Sequence, residues 1–229
     1  MSHDSTDPDL GRIARLIGDG SRAAMLMALF DGRALPAGEL ARYARISPQT
    51  ASAHLDKLFR AHLIAVEVQG RHHYYRPSGP QVARALESLA VVTSPPLNPS
   101  LSETAKALRF ARFCYDHLAG KLGVAVTSAL CDHNHIKDSD SGYVVTAQGE
   151  AWFHALGIDV QALRANHRPL TRRCLDWSER RHHLAGALGA ALANRFLQLK
   201  WIARVPGSRA VRLADKGEAA LRAQLAMQL

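Results

Sequence analysis

Two short stretches of this chain repeat a set of side chains that bind metals and carry thiol chemistry. One is Cys114-Tyr115-Asp116-His117. The other is Cys174-Leu175-Asp176, followed by Glu179 and His183. Cys114 and His117 stand three apart, a spacing that puts both on one face of a helix, as a metal needs from two ligands. If the two stretches pack against each other, Cys114, His117, Cys174 and His183 face one cleft. Thiolate and imidazole together suit Zn²⁺ or a related borderline ion, one that the fold itself does not require, while Cys114 with Cys174 also suits a thiol sensor. The same letters suit plain packing, since a buried Cys is a small hydrophobe and Asp116 or Asp176 suits a helix cap. Cys131-Asp132-His133-Asn134-His135 is rich in ligand letters too, but nothing in the second stretch matches it, and it reads as a helix end.

A second chemistry lies earlier, in SPQTASAHLDKLFRAHLIAVEVQGRHHYYR (47–76). Ser47 is a good N-cap, and Pro48 takes the first helical position, where its missing N–H costs nothing. Ala51, Leu55 and Leu58 fall on one helical face. Gln49, Thr50, Ser52, His54 and Lys57 are left on or beside the outward side, short or polar groups suited to base edges and phosphates. Past Leu63 the pattern alternates through Ile64, Val66 and Val68, turns at Gln69-Gly70 and returns through His73, Tyr74 and Tyr75. A helix followed by a basic-tipped hairpin is the recognition helix and wing of a winged helix-turn-helix, with Arg71 and His72 near the DNA backbone. The DNA-contacting set is therefore Ser47, Gln49, Thr50, Ser52, His54, Lys57, Arg71 and His72.

IGDGSRAAMLMAL (17–29), GELARYARIS (38–47), PQTASAHLDKL (48–58) and GRHHYYR (70–76) resemble the ArsR/SmtB type of bacterial transcriptional repressor over residues 10–92. The resemblance implies a homodimer, joined through the first and last helices of that domain, on a double-stranded operator. Dimerisation also fits the physics, because two recognition helices must reach half-sites about one DNA turn apart. Family members commonly release DNA on binding a metal or other inducer. One common site uses cysteines on the helix before the turn, but GELARYARI (38–46) has no Cys or His. The other uses acidic and His ligands on the domain's last helix, where QVARALESLAVV (81–92) offers only Glu87. Both sites are expected to be absent.

The elements that must position these groups read as follows. Asp7-Pro8 opens a helix to Ile17, Ser21 caps a second to Phe30, and a third spans Ala37 to Ala44. Pro80 begins another behind the wing. Thr93 to Ser102, TSPPLNPSLS, reads as a linker. An amphipathic helix then carries Ala105, Leu108, Phe110, Ala111 and Phe113 into Cys114. Beyond it lies an internal repeat. His117-Leu118-Ala119-Gly120 matches His183-Leu184-Ala185-Gly186, six residues further from its Cys, and seven of nineteen positions from Leu118 to Ile136 equal those from Leu184 to Ile202. Gly149-Glu150-Ala151 matches Gly217-Glu218-Ala219. Each copy runs helix, strand, turn (Ser141-Gly142 or Pro206-Gly207), strand, helix, like the end of a winged-helix domain.

Composition agrees with this division. At 229 residues, 47% apolar and 21% charged, the chain suits two globular domains. Three cysteines and a polar, acidic start argue for a reducing cytoplasm without a secretory signal, and no apolar run is long enough to span a membrane. The net charge of +9 suits a polyanion, but residues 1–93 hold 11 basic against 9 acidic side chains, so pattern rather than charge identifies the DNA-binding half. No Gly-rich phosphate loop, G-x-S-x-G or H-E-x-x-H is present, which argues against an enzyme. The expected fold is mainly α with small β-hairpins (α+β): a winged helix-turn-helix at 1–93, a linker at 94–102 and two repeated winged-helix-like units at 103–229. The expected function is a sequence-specific repressor released by a metal, a thiol-reactive agent or a small molecule. A DNA-associated redox or sensor enzyme, or a constitutive DNA-binding protein, are the competing readings.

Overall fold

Side-chain oxygens start three helices of the first unit. Asp9 accepts the Arg12 N–H ahead of α1 (Leu10–Ile17), Asp19 accepts the Arg22 N–H ahead of α2 (Gly20–Ala28), and Ser47 accepts the Thr50 N–H ahead of α4 (Pro48–Arg60). Asp19 thus does what the sequence assigned to Ser21: its carboxylate reaches the N–H three residues on, and Ser21 falls inside the helix. The computed structural model describes residues 9–70, 72–93, 102–140, 142–165 and 167–228. It divides into one unit up to Arg84 and another from Ala85 onward. The linker expected at 94–102 lies outside the described residues except for Ser102.

In the first unit α3 (Ala37–Ala44) leads through the tight turn at Arg45, which adopts a left-handed φ of 55°, into α4. The apolar stripe Ala51, Leu55 and Leu58 of α4 packs inward, beside Leu40 and Ala41 of α3 and Met25 and Leu26 of α2 in the buried set. Strands β2 (Ile64–Gln69) and β3 (His72–Pro77) form the wing hairpin, and β1 (Leu35–Pro36) joins β3 to complete a three-stranded sheet. Helix α5 (Pro80–Thr93) follows, and the division between units falls inside it.

Past α5 the second unit continues with α6 (Glu103–Phe110), capped by Ser102. That helix does not reach Cys114. The chain turns extended at Ala111 and enters a hairpin of β4 (Arg112–Cys114) and β5 (His117–Ala119). Next come α7 (Gly120–Asp132), a hairpin of β6 (Ile136–Ser139) and β7 (Gly142–Val145), and α8 (Ala147–Ala155). After the short α9 (Val160–Arg164) the same order returns: hairpin β8 (Arg172–Leu175) and β9 (His182–Ala185), α10 (Gly186–Gln198), hairpin β10 (Ile202–Arg204) and β11 (Val211–Leu213), and α11 (Asp215–Leu225).

The registers of the leading hairpins also correspond. Arg112, Phe113 and Cys114 face Ala119, Leu118 and His117; Arg172, Arg173 and Cys174 face Ala185, Leu184 and His183. The two segments interlock rather than stand side by side. α7 packs on β9, α10 packs on β5, and the Leu184 N–H donates to Thr127 Oγ1 at 2.9 Å. One apolar core, including Phe113, Leu122, Phe153, Leu188 and Phe196, serves both.

The glycines in the repeated words mark where backbone must approach backbone. Gly120 and Gly186 take φ of +80° and +91° at the strand-to-helix junctions, a conformation that side chains resist. Gly149 of α8 lies against the His135 carbonyl and Gly217 of α11 against the Trp201 carbonyl, so that a Cβ on either would fall far inside contact distance. Gly149→Ala and Gly217→Ala should each destabilise the chain by about 1–3 kcal/mol or more. Gly38→Ala, with nothing near its Cβ, should be neutral or stabilising. Urea denaturation of the three variants checks this, and equal stability of all three would rule out the close approaches.

Candidate functional site

Asp176 is the anchor of the second unit's polar centre. It is fully buried, and its Oδ2 accepts from Arg112 Nη2 at 2.8 Å and from the Gly120 N–H at 2.7 Å. Its Oδ1 accepts from the Ser178 and Glu179 N–H groups and from Ser178 Oγ, which shapes the loop after β8. Burial alone would raise its pKa. Arg112 and these hydrogen bonds outweigh that and hold it well below the usual carboxylate range. Arg112, itself fully buried, also donates to the Leu108 carbonyl and Ser178 Oγ and lies 4.2 Å from the centre of the Trp177 ring.

This tie between the hairpins brings four side chains together. Cys114, His117, Cys174 and His183 are all buried, and one ligand atom from each lies within 4.8 Å of every other. The sulfurs are 3.8 Å apart, so the cysteines are free thiols, and the two imidazole centroids are 5.1 Å apart. Each hairpin supplies one directly opposed Cys–His pair, Cys114 with His117 and Cys174 with His183. The helix face expected for Cys114 and His117 is therefore replaced by a hairpin with Tyr115 and Asp116 as its turn, Tyr115 at φ +60°. Three-residue spacing serves a two-residue hairpin turn as well as a helical face.

Asp116 lies outside the four and orients one of them. Its carboxylate contacts His117 Nδ1 at 3.2 Å and is clamped by both terminal nitrogens of Arg168, at 2.5 and 3.1 Å. Burial pushes the Asp116 carboxyl up, but His117 and Arg168 bring it down to about 2. His117 Nε2 is left buried without a partner. Both nitrogens of His183 are also buried without a hydrogen bond, with Asp176 Oδ2 3.7 Å from Nδ1. The sulfurs are unequal. Hydrogen bonding from Cys114 pulls Cys174 far below an ordinary thiol, with His117 and His183 adding to it against burial. Cys114 is raised by its contact with Cys174, by burial and by the nearby Glu87 of α5. Glu87 is buried and its Oε1 has no hydrogen-bond partner.

Arg112 and Arg168 were not singled out in the sequence, and Glu87 was named there only as the one ligand-type residue on the last helix of the first domain. Arg112 had a readable signal, since Arg-x-Cys occurs at both 112–114 and 172–174. Arg168 and Glu87 had none: each reaches the site from a distant element. Cys131 stands apart from the four, and His133 and His135 stack in a row with Trp152 instead.

On the first unit, Ser47, Gln49, Thr50, Ser52 and Lys57 are exposed on α4, and His72 is exposed on the wing. Ser47 and Thr50 hydroxyls bond each other at 2.9 Å, and Ser52 Oγ donates back to the Pro48 carbonyl. His54 is not on that face. Its Nδ1 lies 3.2 Å from Arg22 Nη1 and 4.0 Å from Asp19, and this packing against α2 takes it out of reach as a free polar group. Arg71 lies outside the described residues. Arg12, Arg15, Arg22, Lys57 and Arg60 line an open groove of about 400 Å³ beside α4, a basic margin that the sequence reading did not assemble. Among the described residues no helix is long and apolar enough to cross a membrane.

Comparison with known proteins bears on both units. The chain is 44% identical over 225 residues to the uncharacterized HTH-type transcriptional regulator YdfF of Bacillus subtilis, covering 97% of this chain and all of that one. This chain belongs to the HTH-type transcriptional regulators. Its first unit also matches the HTH-type transcriptional regulator CmtR of Mycobacterium bovis, 34% identical over 83 residues, 36% of this chain and 70% of that one. The NMR structure of the cadmium metal-sensor CMTR from Mycobacterium tuberculosis covers 41% of this chain and 99% of that one, at 32% identity and a TM-score of 0.32. The ArsR/SmtB resemblance of the winged helix thus stands. No family model matches the chain.

Removing Asp176 from this regulator tests the polar centre. Asp176→Ala leaves the Arg112 guanidinium buried and unpaired and should cost about 3–5 kcal/mol of stability, with exposed Asp56→Ala as a near-neutral control. Chemical denaturation measures both; a cost below about 1 kcal/mol at Asp176 would mean that the pair does not hold the hairpins together.

Proposed function

We propose that this regulator is a homodimeric repressor that reads an operator through α4 and the wing and leaves it when the Cys114–His117–Cys174–His183 cluster receives a signal. The convergence of those four buried side chains carries the reading. Buried polar groups normally find partners, and here three imidazole nitrogens have none. A group that completes them is what the cluster lacks. The helix before α4 has no Cys or His, while Cys114, His117, Cys174 and His183 gather a ligand set in the second unit.

The DNA-reading half rests on α4. Its apolar stripe is fully used inside, which leaves Gln49, Thr50 and Ser52 exposed to meet base edges in the major groove. Lys57, with the arginine-lined groove beside it, suits phosphate. Leu10 on α1 and Val92 on α5 are large apolar side chains left mostly exposed, which supports the dimer contacts that the family resemblance implies.

Binding to duplexes selected from random DNA tests both roles. Gln49→Ala or Thr50→Ala should cost about 1–3 kcal/mol on the selected sequence and relax preference at one base pair. Lys57→Ala should weaken selected and random DNA alike and flatten the salt dependence. Full affinity in the Gln49/Thr50/Ser52 triple alanine protein would remove α4 from the interface. Release of DNA that persists after Cys114→Ser and Cys174→Ser are combined would place the signal elsewhere.

A further inference from the structure

The cluster has the dimensions and donors of one kind of ligand. We infer that Cys114, His117, Cys174 and His183 form a closed, four-ligand tetrahedral centre for a divalent ion of the Zn²⁺ class, shared between the two hairpins. The inference rests on the reading of the cluster as the signal site and names what the site takes.

Distance comes first. Two sulfurs bound at about 2.3 Å to one tetrahedral Zn²⁺ sit about 3.8 Å apart. The sulfurs of Cys114 and Cys174 are 3.8 Å apart. All four donor atoms lie within 4.8 Å of one another, so contraction by about 1 Å at the widest edge brings them to the tetrahedral spacing.

Donor chemistry comes next. Two sulfurs and two imidazoles select a borderline ion over Mg²⁺ or Ca²⁺, which prefer oxygen. Four protein ligands leave no open position for a reacting water, which marks a structural or sensing centre rather than a catalytic one. His117 already has the outer partner that ligand histidines commonly use: Asp116 engages Nδ1 and leaves Nε2 facing inward without a partner. On His183, Asp176 stands beside Nδ1 and leaves Nε2 for the ion.

Charge argues the same way. Asp116 is answered by Arg168 and Asp176 by Arg112, so neither carboxylate neutralises a bound cation. A divalent ion on two thiolates and two neutral imidazoles is itself neutral, the least costly state for a buried site. Glu87 adds a carboxylate beside Cys114, which favours a cation over a neutral or anionic ligand.

Cobalt titration of the reduced, chelator-treated full chain tests this. Co²⁺ should bind one equivalent per chain with the intense visible absorption of a tetrahedral centre and a sulfur-to-cobalt charge-transfer band, and Zn²⁺ should displace it. Cys114→Ser and Cys174→Ser should each diminish the charge-transfer band. Asp116→Asn, at a partly exposed position outside the ligand set, should weaken binding by about 10–100-fold without unfolding the chain, as circular dichroism would check. Weak pink octahedral cobalt, a spectrum without sulfur bands, or unaltered binding in Asp116→Asn and both serine variants would overturn the centre. The two readings separate cleanly. Tetrahedral binding with no effect on selected DNA leaves the centre and removes its regulatory role. DNA release by a thiol reagent, with no cobalt binding, leaves the signal site and removes the metal.

Discussion

A single buried ion pair decides the geometry of the second unit. Arg112 sits on the first strand of one hairpin and Asp176 at the end of the matching strand of the other, 64 residues apart in sequence and 2.8 Å apart in space, with neither side chain exposed. Such a pair is costly to desolvate and gives little net stability beside a well-packed apolar pair, but leaving one partner alone is far worse. Its effect is on position. Asp176 fixes its own loop through Ser178 and Glu179 and the first turn of α7 through the Gly120 N–H. With both hairpins tied at that point, the cysteines two residues away on each side, and the histidines opposed to them, have little freedom to separate.

That arrangement also explains why the two segments interlock. A strand–turn–strand unit of this size cannot bury both of its faces by itself. Here each leading hairpin lies on the other segment's helix, while Gly123 and Gly189 let α7 and α10 start close against the Leu118 and Leu184 carbonyls of their own hairpins. The repeated Leu-Ala-Gly-x-Leu-Gly words are therefore requirements of packing. The chemistry sits on their edge, in the Cys and His just before them.

The first unit could be read from sequence because its signals are local. Ser47-Pro48 starts a helix, Ala51, Leu55 and Leu58 show the inward face, and alternation at 64–68 marks the wing strand. The second unit yielded its four residues but not the way they meet. At Cys114 and His117, spacing alone does not distinguish a helical face from a tight hairpin. The second copy holds the discriminating fact: Cys174 and His183 are nine apart, which on a helix puts them on opposite faces at about 100° per residue. Only a hairpin accepts a six-residue insertion in its loop and keeps the pair opposed, as the Cys174–His183 register does. His54 shows a different limit of the helical wheel. Its outward position on the helical wheel was nearly right, but Arg22 and Asp19 belong to a different helix, and no periodicity within α4 reports them.

On the proposed reading the signal must reach DNA through a difference in affinity between two states, because a ligand that binds both equally shifts nothing. A tenfold preference corresponds to about 1.4 kcal/mol, and linkage requires operator DNA to weaken the signal's binding by the same factor. Glu87 is the side chain through which such a preference can act. It belongs to the second unit and stands beside Cys114, yet it is carried by α5, a helix that begins at Pro80 in the first. A cation bound to Cys114 attracts that carboxylate, whereas the uncharged thiol that burial and Glu87 favour without the ion does not, so the helix experiences a force in one state that the other lacks. In the structure the carboxylate is buried with one oxygen unpartnered, a condition that persists only where something else makes up for it. On that reading, a centre built of cross-strand pairs, held by a buried ion pair and touched by one carboxylate from α5, couples ligand chemistry to that helix without placing any ligand in the DNA-reading unit.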